Sequence, residues 1–284
     1  MGPTYMRLQC RTSRQTFLLA SNIDLIASLI SFRFTIAIIS NPSIVFAPGA
    51  WYPPTAFDPL ISKLAGYNCY TCAFPSIQKA QTTKDLKSDI ETVRSLVQQE
   101  ADAGRDVLVV SHSWSGVPVN SGLDGLSKTE REREGKKGGV VRLAFISAFI
   151  PEIGESLISA LGGKAPDWHL HDVETDTVTA ADPVGRFFHD VPDGEEWAKK
   201  LGPHSWFTKR VPASSAAYLT IPSSYLLCEH DEAIPLAAQQ WMVDRAREKG
   251  ALFETETIAT GHTPWLVLTD EVATYIRRQA GEDI

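Results

Sequence analysis

Residues 107–116, Val-Leu-Val-Val-Ser-His-Ser-Trp-Ser-Gly, constrain the fold more than any other stretch. The apolar, mostly β-branched start suits a buried strand. It gives way to small residues around Ser113, and a helix-capable segment follows. A strand that turns sharply into a helix at a serine forms a nucleophile elbow. The turn strains the serine backbone and lifts its hydroxyl clear of the sheet. Small side chains at Ser111, Ser115 and Gly116 let strand and helix approach closely there. The usual pattern, G-x-S-x-G, is altered: Ser111 replaces the first glycine, Ser115 the second, and Gly116 comes one place later.

Three further segments give this serine a context. Residues 225–235, Tyr-Leu-Leu-Cys-Glu-His-Asp-Glu-Ala-Ile-Pro, read as a strand ending in an acid at Asp231; Glu229 and Glu232 are alternatives if the strand ends elsewhere. Residues 260–265, Thr-Gly-His-Thr-Pro-Trp, place His262 on a glycine-bearing loop after a strand-like run. Residues 43–51, Ser-Ile-Val-Phe-Ala-Pro-Gly-Ala-Trp, form a short apolar strand ending in a turn. Serine is a poor nucleophile at its free pKa. It needs an imidazole to take its proton and an acid to orient that imidazole. Ser113 is therefore the expected nucleophile, His262 the base and Asp231 the orienting acid. The backbone N–H groups of Ala50 and Trp114 are the expected oxyanion-hole donors. The chain order Ser–Asp–His is that of α/β-hydrolases and differs from the chymotrypsin and subtilisin orders.

On these motifs the chain, from about residue 41 to about residue 280, resembles the α/β-hydrolase superfamily. It looks like the branch of small esterases that includes plant methyl-salicylate esterases and hydroxynitrile lyases, and it is similar to many fungal hydrolases. The resembling motifs are Ala-Pro-Gly-Ala-Trp at 47–51, Ser-His-Ser-Trp-Ser-Gly at 111–116, Cys-Glu-His-Asp-Glu-Ala-Ile-Pro at 228–235 and Gly-His-Thr-Pro-Trp at 261–265. Pro48 departs from the family's usual histidine, but the backbone donor lies after it. The resemblance implies a cofactor-independent serine hydrolase of small or medium, largely apolar carboxylic esters, thioesters or lactones, working through an acyl-enzyme on Ser113. A lyase or cyclase of secondary metabolism using the same triad is an alternative. Hydroxynitrile lyases of this branch carry lysine directly after the catalytic histidine; Thr263 stands there and weighs against that variant. A non-enzymatic ligand receptor on the same fold is a further alternative, although such proteins often lose a triad member.

Strand-like runs at 44–47, 69–74, 107–111, 140–146, 224–228 and 253–258 alternate with helix-like ones at 85–103, 235–249 and 270–279. This alternation predicts an α/β fold, a mostly parallel central sheet flanked by helices. Residues 41–150 and 216–284 form the expected hydrolase core, and residues 151–215 an inserted cap. The cap is rich in aromatics: Trp168, Phe187, Phe188, Trp197, Trp206 and Phe207. They either line a substrate pocket or form the cap's own small core. The charge run at 127–139 reads as a solvated helix end and loop.

Of 284 residues, 43% are hydrophobic, enough for one sizeable domain. Net charge is −7, split as +3 over residues 1–40 and −10 over the rest. An acidic body argues against nucleic acid as a partner; a small-molecule substrate is expected, and oligomeric state stays open. Cys69 and Cys72 have C-x-x-C spacing but lie on a strand-like run, where a redox pair would need a helix N-terminus. They read as structural thiols. His112 adjoins the nucleophile on a strand and so points the other way, as a packed neighbour. His169 and His171 make too small a set for a metal, and no nucleotide-binding motif is present. No metal or cofactor is expected. The Asn-Pro-Ser at 41–43 is blocked as an N-x-S/T acceptor by its proline, and a cytoplasmic location is expected. Residues 1–40 read as an atypical extension: a leader, a targeting segment or a membrane anchor. Residues 17–39 are long and apolar enough for an anchor, but Asn22, Asp24 and Arg33 interrupt them.

Overall fold

The computed structural model describes residues 41–284. The expectations for residues 1–40 lie outside the described residues. Among the described residues no helix is long and apolar enough to cross a membrane.

The central sheet is built from β1 (Ser43–Ala47), β2 (Cys69–Thr71), β3 (Asp106–Ser113), β4 (Gly139–Ala148), β8 (Ser223–Cys228) and β9 (Phe253–Ile258). Their order is β2-β1-β3-β4-β8-β9, and every pairing is parallel. Side-chain alternation along the inner strands divides two apolar layers. Val45, Val109, Phe145 and Tyr225 face one layer, and Ile44, Val110, Ile146 and Leu226 face the other. Burial on both faces explains why these strands are continuous apolar runs.

Helices cover both layers. α1 (Lys87–Asp102) buries Val93 and Val97 four residues apart on one stripe, and Gly104 follows it at φ +82°, a conformation that costs glycine little. α2 (Gly116–Gly122) packs on the same side. α4 (Leu236–Glu248) adds Met242 and Val243, while α5 (Thr269–Gln279) covers the opposite layer with Val272 and Ile276.

Between β4 and β8 the chain makes a second, antiparallel sheet from β5 (His169–Asp172), β6 (Thr177–Ala180) and β7 (His204–Ser205), with α3 (Pro183–Phe187) among them. Its buried side chains Val178, Phe187 and Phe188 belong to the same apolar cluster as Val45 and Val109. The insertion therefore shares the main core rather than owning a separate one.

Two local expectations change. The second strand ends at Thr71 instead of continuing to Phe74, because Pro75 starts a short helical turn. The charge run at 127–139 is only partly solvated. Ser127 caps a short helix, and Arg131 is buried, donating to the Gly138 carbonyl at 2.5 Å and to Asp102 at 2.7 Å.

Candidate active site

The carboxyl ends of β3, β4 and β8 meet where the sequence motifs fall. Ser113 closes β3 with φ +55°, in the left-handed region that a β-substituted residue seldom adopts. The two serines that stand for glycines hold this turn. The Ser115 hydroxyl lies 3.0 Å from that of Ser111, accepts from the His112 N–H at 3.0 Å and reaches the Ala47 carbonyl at 2.8 Å. It thus ties the turn to β1. Gly116 is where the backbone needs a missing side chain: a Cβ there would sit 1.8 Å from the Phe149 carbonyl oxygen.

Asp231 follows β8. Its Oδ1 accepts from the Ala233 and Ile234 N–H groups at 2.7 and 2.8 Å. Its Oδ2 accepts from His262 Nδ1 at 2.7 Å. Glu229 and Glu232 are exposed, so of the three candidate acids it is Asp231 that meets the imidazole. A carboxylate at Nδ1 leaves Nε2 as the free, basic nitrogen. Among the described residues the Ser113 hydroxyl makes no hydrogen bond; it faces a cavity that Ala50, Trp114, Phe149, Trp168 and Phe187 also line.

Ser147 is a residue the motifs did not reveal. β4 shifts register against β3 at this point, so that Ser113 pairs with Ala148 one residue beyond expectation. The extra residue, Ser147, takes φ +37° and swings its hydroxyl onto Asp231 Oδ2, 3.4 Å from His262 Nδ1. A bulge re-aims a side chain in this way.

The loop after β1 turns at residues 49–52, with Tyr52 N–H donating to the Gly49 carbonyl and Trp51 at φ +71°. Gly49 lies so near the elbow that a Cβ would be 2.8 Å from that of Ser113. Neither the Ala50 nor the Trp114 N–H enters a hydrogen bond among the described residues, and both residues line the cavity. The turn is also tied to the insertion: Trp51 Nε1 donates to the Val178 carbonyl at 2.8 Å, and Gly202 N–H to the Trp51 carbonyl at 2.9 Å.

The histidine loop is clamped in the same manner. Gly261 N–H donates to Asp190 at 2.6 Å, Thr263 Oγ1 donates to the Phe187 carbonyl at 2.8 Å, and the Phe187 ring lies 5.5 Å from the His262 ring. Beneath it His112 is fully buried, with its Nε2 3.0 Å from the His262 carbonyl oxygen. Burial, then the neighbouring His262, holds His112 well below its usual pKa. A neutral ring donates through Nε2 and anchors the loop from below.

Trp168 and Phe187 line the cavity, Phe188 is core, and Trp206 stacks on His171 at 4.7 Å. Among the described residues no group of three or more His, Cys, Asp or Glu is placed to hold a metal. Cys72 is buried and Cys69 half-buried, both as free thiols. Burial raises Cys69 to about 11 and Cys72 further, which suits unreactive packing.

Residues 44–275 match the model of the alpha/beta hydrolase family. The alpha/beta hydrolase nvfD of Aspergillus novofumigatus is 31% identical over 251 residues, covering 86% of this chain and 98% of that protein. The probable hydrolase R7 of a Phoma species is 29% identical over 258 residues, covering 86% of this chain and all of that protein. Among solved structures, a pyrethroid hydrolase from Sphingobium faniae superposes with TM-score 0.67 at 15% identity, over 85% of this chain and 98% of its own. Polyneuridine aldehyde esterase does so with TM-score 0.65 at 17% identity, over 84% of this chain and 98% of its own. The family match spans the elbow, the acid and the histidine loop alike, and this chain belongs to the alpha/beta hydrolase family.

Proposed function

We propose that the protein is a serine hydrolase of small or medium, largely apolar carboxylic esters, thioesters or lactones. The observation that carries this reading is the hydrogen-bonded Asp231–His262 pair at the carboxyl end of the sheet whose strand β3 closes on Ser113 in a strained turn, with two unused backbone donors on the cavity that Ser113 lines. The names of two solved relatives, a hydrolase of pyrethroids and an esterase, agree with it.

In this reading Ser113 Oγ attacks the acyl carbon while His262 Nε2 takes its proton. The carbonyl oxygen becomes an oxyanion facing the Ala50 and Trp114 N–H groups. Collapse expels the alcohol or thiol, which receives the proton from His262, and leaves an acyl group on Ser113. Water, deprotonated by His262, then frees the acid and restores the serine. Asp231 holds the imidazole tautomer and stabilises the imidazolium, and Ser147 positions Asp231. One lost oxyanion donor costs about 2.7–4 kcal/mol in enzymes of this kind.

The cavity volume is about 30 Å³, room for about two waters. A panel of p-nitrophenyl esters of rising acyl length tests the reading. Turnover with an optimum at short to medium chains, abolished by Ser113→Ala, is expected; turnover that survives Ser113→Ala contradicts it.

A further inference from the structure

The wall contributed by the insertion holds a lysine side chain, Lys209, that the acyl-transfer chemistry does not use; burial pulls its pKa well below the usual lysine value, so its ammonium form calls for an anionic partner. Lys209 lies in a short 3₁₀ turn, Phe207–Lys209, is fully buried, and lines the same cavity as Ser113. Its Nζ has no hydrogen-bond partner among the described residues. It sits 4.3 Å from the Trp51 ring centre and 5.9 Å from that of Trp114. Ring faces attract a cation, but they accept none of its three N–H groups in full.

Lys209 is not alone. Trp114 Nε1, His169 Nδ1 and His204 Nδ1 are also buried without partners. His169 lines the cavity, and the His204 ring packs 4.4 Å from that of Trp114, with its Nε2 2.9 Å from the Ser76 hydroxyl. Burial, and after it the Lys209 charge, depresses both histidines, His169 to about 3. Buried polar groups are normally paired, and an isolated buried charge is costly. Lys209 Nζ and Trp114 Nε1, two donors left unpaired on residues of one cavity, with no carboxylate answering the lysine among the described residues, describe a site for an oxygen anion.

We propose that Lys209 is the specificity-determining residue of this cavity and pairs with a carboxylate on the substrate, so that the favoured substrates are half-esters or other esters of carboxylic acids bearing a second, ionised carboxyl group. This rests on the ester-hydrolase reading of the same site. The carboxylate accepts from Lys209 Nζ, with Trp114 Nε1 as a further unused N–H donor, while the ester carbonyl faces Ala50 and the Trp114 backbone. The aromatic walls exclude water, which strengthens a charge pair formed between them.

The test is direct binding, which does not need turnover. The Ser113→Ala protein is titrated with monomethyl esters of dicarboxylic acids from succinate to adipate, and with the matching dimethyl esters. Fluorescence of Trp51 and Trp114 and calorimetry report the Kd. At one chain length or more the half-ester is expected to bind at least tenfold tighter than its diester. Adding Lys209→Met or Lys209→Gln brings the ratio close to one, whereas Lys209→Arg keeps a preference for the half-ester. Equal binding of half-ester and diester at every length, or a preference that survives both neutral replacements, overturns the proposal. Should neither neutral variant fold, the ratio measured with Lys209 intact still decides. Preferential half-ester binding in a protein whose wild type turns over no ester would sink the hydrolase reading and leave the Lys209 assignment standing. Turnover of neutral esters without that preference would do the reverse.

Discussion

The Asp231–His262 pair and the insertion wall of the cavity treat their polar atoms in opposite ways. On the sheet side, both oxygens of Asp231 and the Nδ1 of His262 are occupied by short, mutually supporting hydrogen bonds. On the side of the insertion, Lys209 Nζ and the Nδ1 atoms of His169 and His204 have no partner among the described residues. A fully paired network is rigid in advance and loses little freedom at the moment of reaction. An unpaired set instead gains its partners from whatever binds. In the proposed reading this difference separates chemistry from selection: the sheet side would break the bond, and the insertion would select the molecule admitted.

Substitutions that break the sheet-side network should have the largest effects. Ser113→Ala and His262→Ala are each expected to lower kcat/KM about 10³-fold or more, since members of such a unit fail together; steady-state kinetics on the best p-nitrophenyl ester checks this. Gly116→Ala drives a methyl group into the Phe149 carbonyl. Overpacking of this kind costs about 1–3 kcal/mol, and an atom-on-atom approach this close puts the loss at the upper end or leaves the protein insoluble; urea denaturation measures it. Ser147→Ala removes a hydrogen bond to a charged acceptor, worth about 1.5–3 kcal/mol. It should reduce kcat about tenfold with KM little changed, if positioning Asp231 is its work.

Smaller effects fall on pH-dependent stability. His112, His169 and His204 are held below their unfolded pKa by burial. The unfolded chain therefore binds more protons than the folded one below about pH 6.5, and these three groups remove stability as the pH falls through that point. Asp89 has the opposite sign. Burial raises it to about 7, so between its unfolded value near 3.8 and about 7 the folded state binds the extra proton. Its contribution is present at low pH and is lost as pH rises toward 7. Thermal melts from pH 4 to pH 8 should show the wild type losing stability on acidification. Asp89→Asn should lose it more steeply, since the opposing group is gone. The smallest effect belongs to Glu229→Gln and Glu232→Gln: both side chains are exposed, and kcat should stay within about twofold.

Much of the sheet side was legible because it obeys local rules. Burial on both faces makes β1, β3, β4 and β8 continuous apolar runs, and β1, β3 and β8 each end in a motif. What escaped depends on how separate strands align. Nothing in Phe-Ile-Ser-Ala at 145–148 announces that β4 slips one residue against β3 and turns Ser147 inward. Ser111 and Ser115 looked like tolerated small residues, yet they bond each other across the turn. Lys209, in Phe-Thr-Lys-Arg at 207–210, reads as ordinary surface charge; it is buried because its turn packs against Trp51, more than 150 residues away in sequence. The aromatics of the insertion divided between lining and core for the same reason.

The central claim is that His262 activates Ser113. Treatment with a fluorophosphonate followed by peptide mass spectrometry tests it directly, since Ser113 Oγ would displace fluoride from phosphorus and keep the phosphonyl group. One adduct is expected, on the peptide containing Ser113, and it should be lost in His262→Ala. An unlabelled Ser113 in a protein that still hydrolyses esters, or labelling of Ser113 undiminished by His262→Ala, would contradict it.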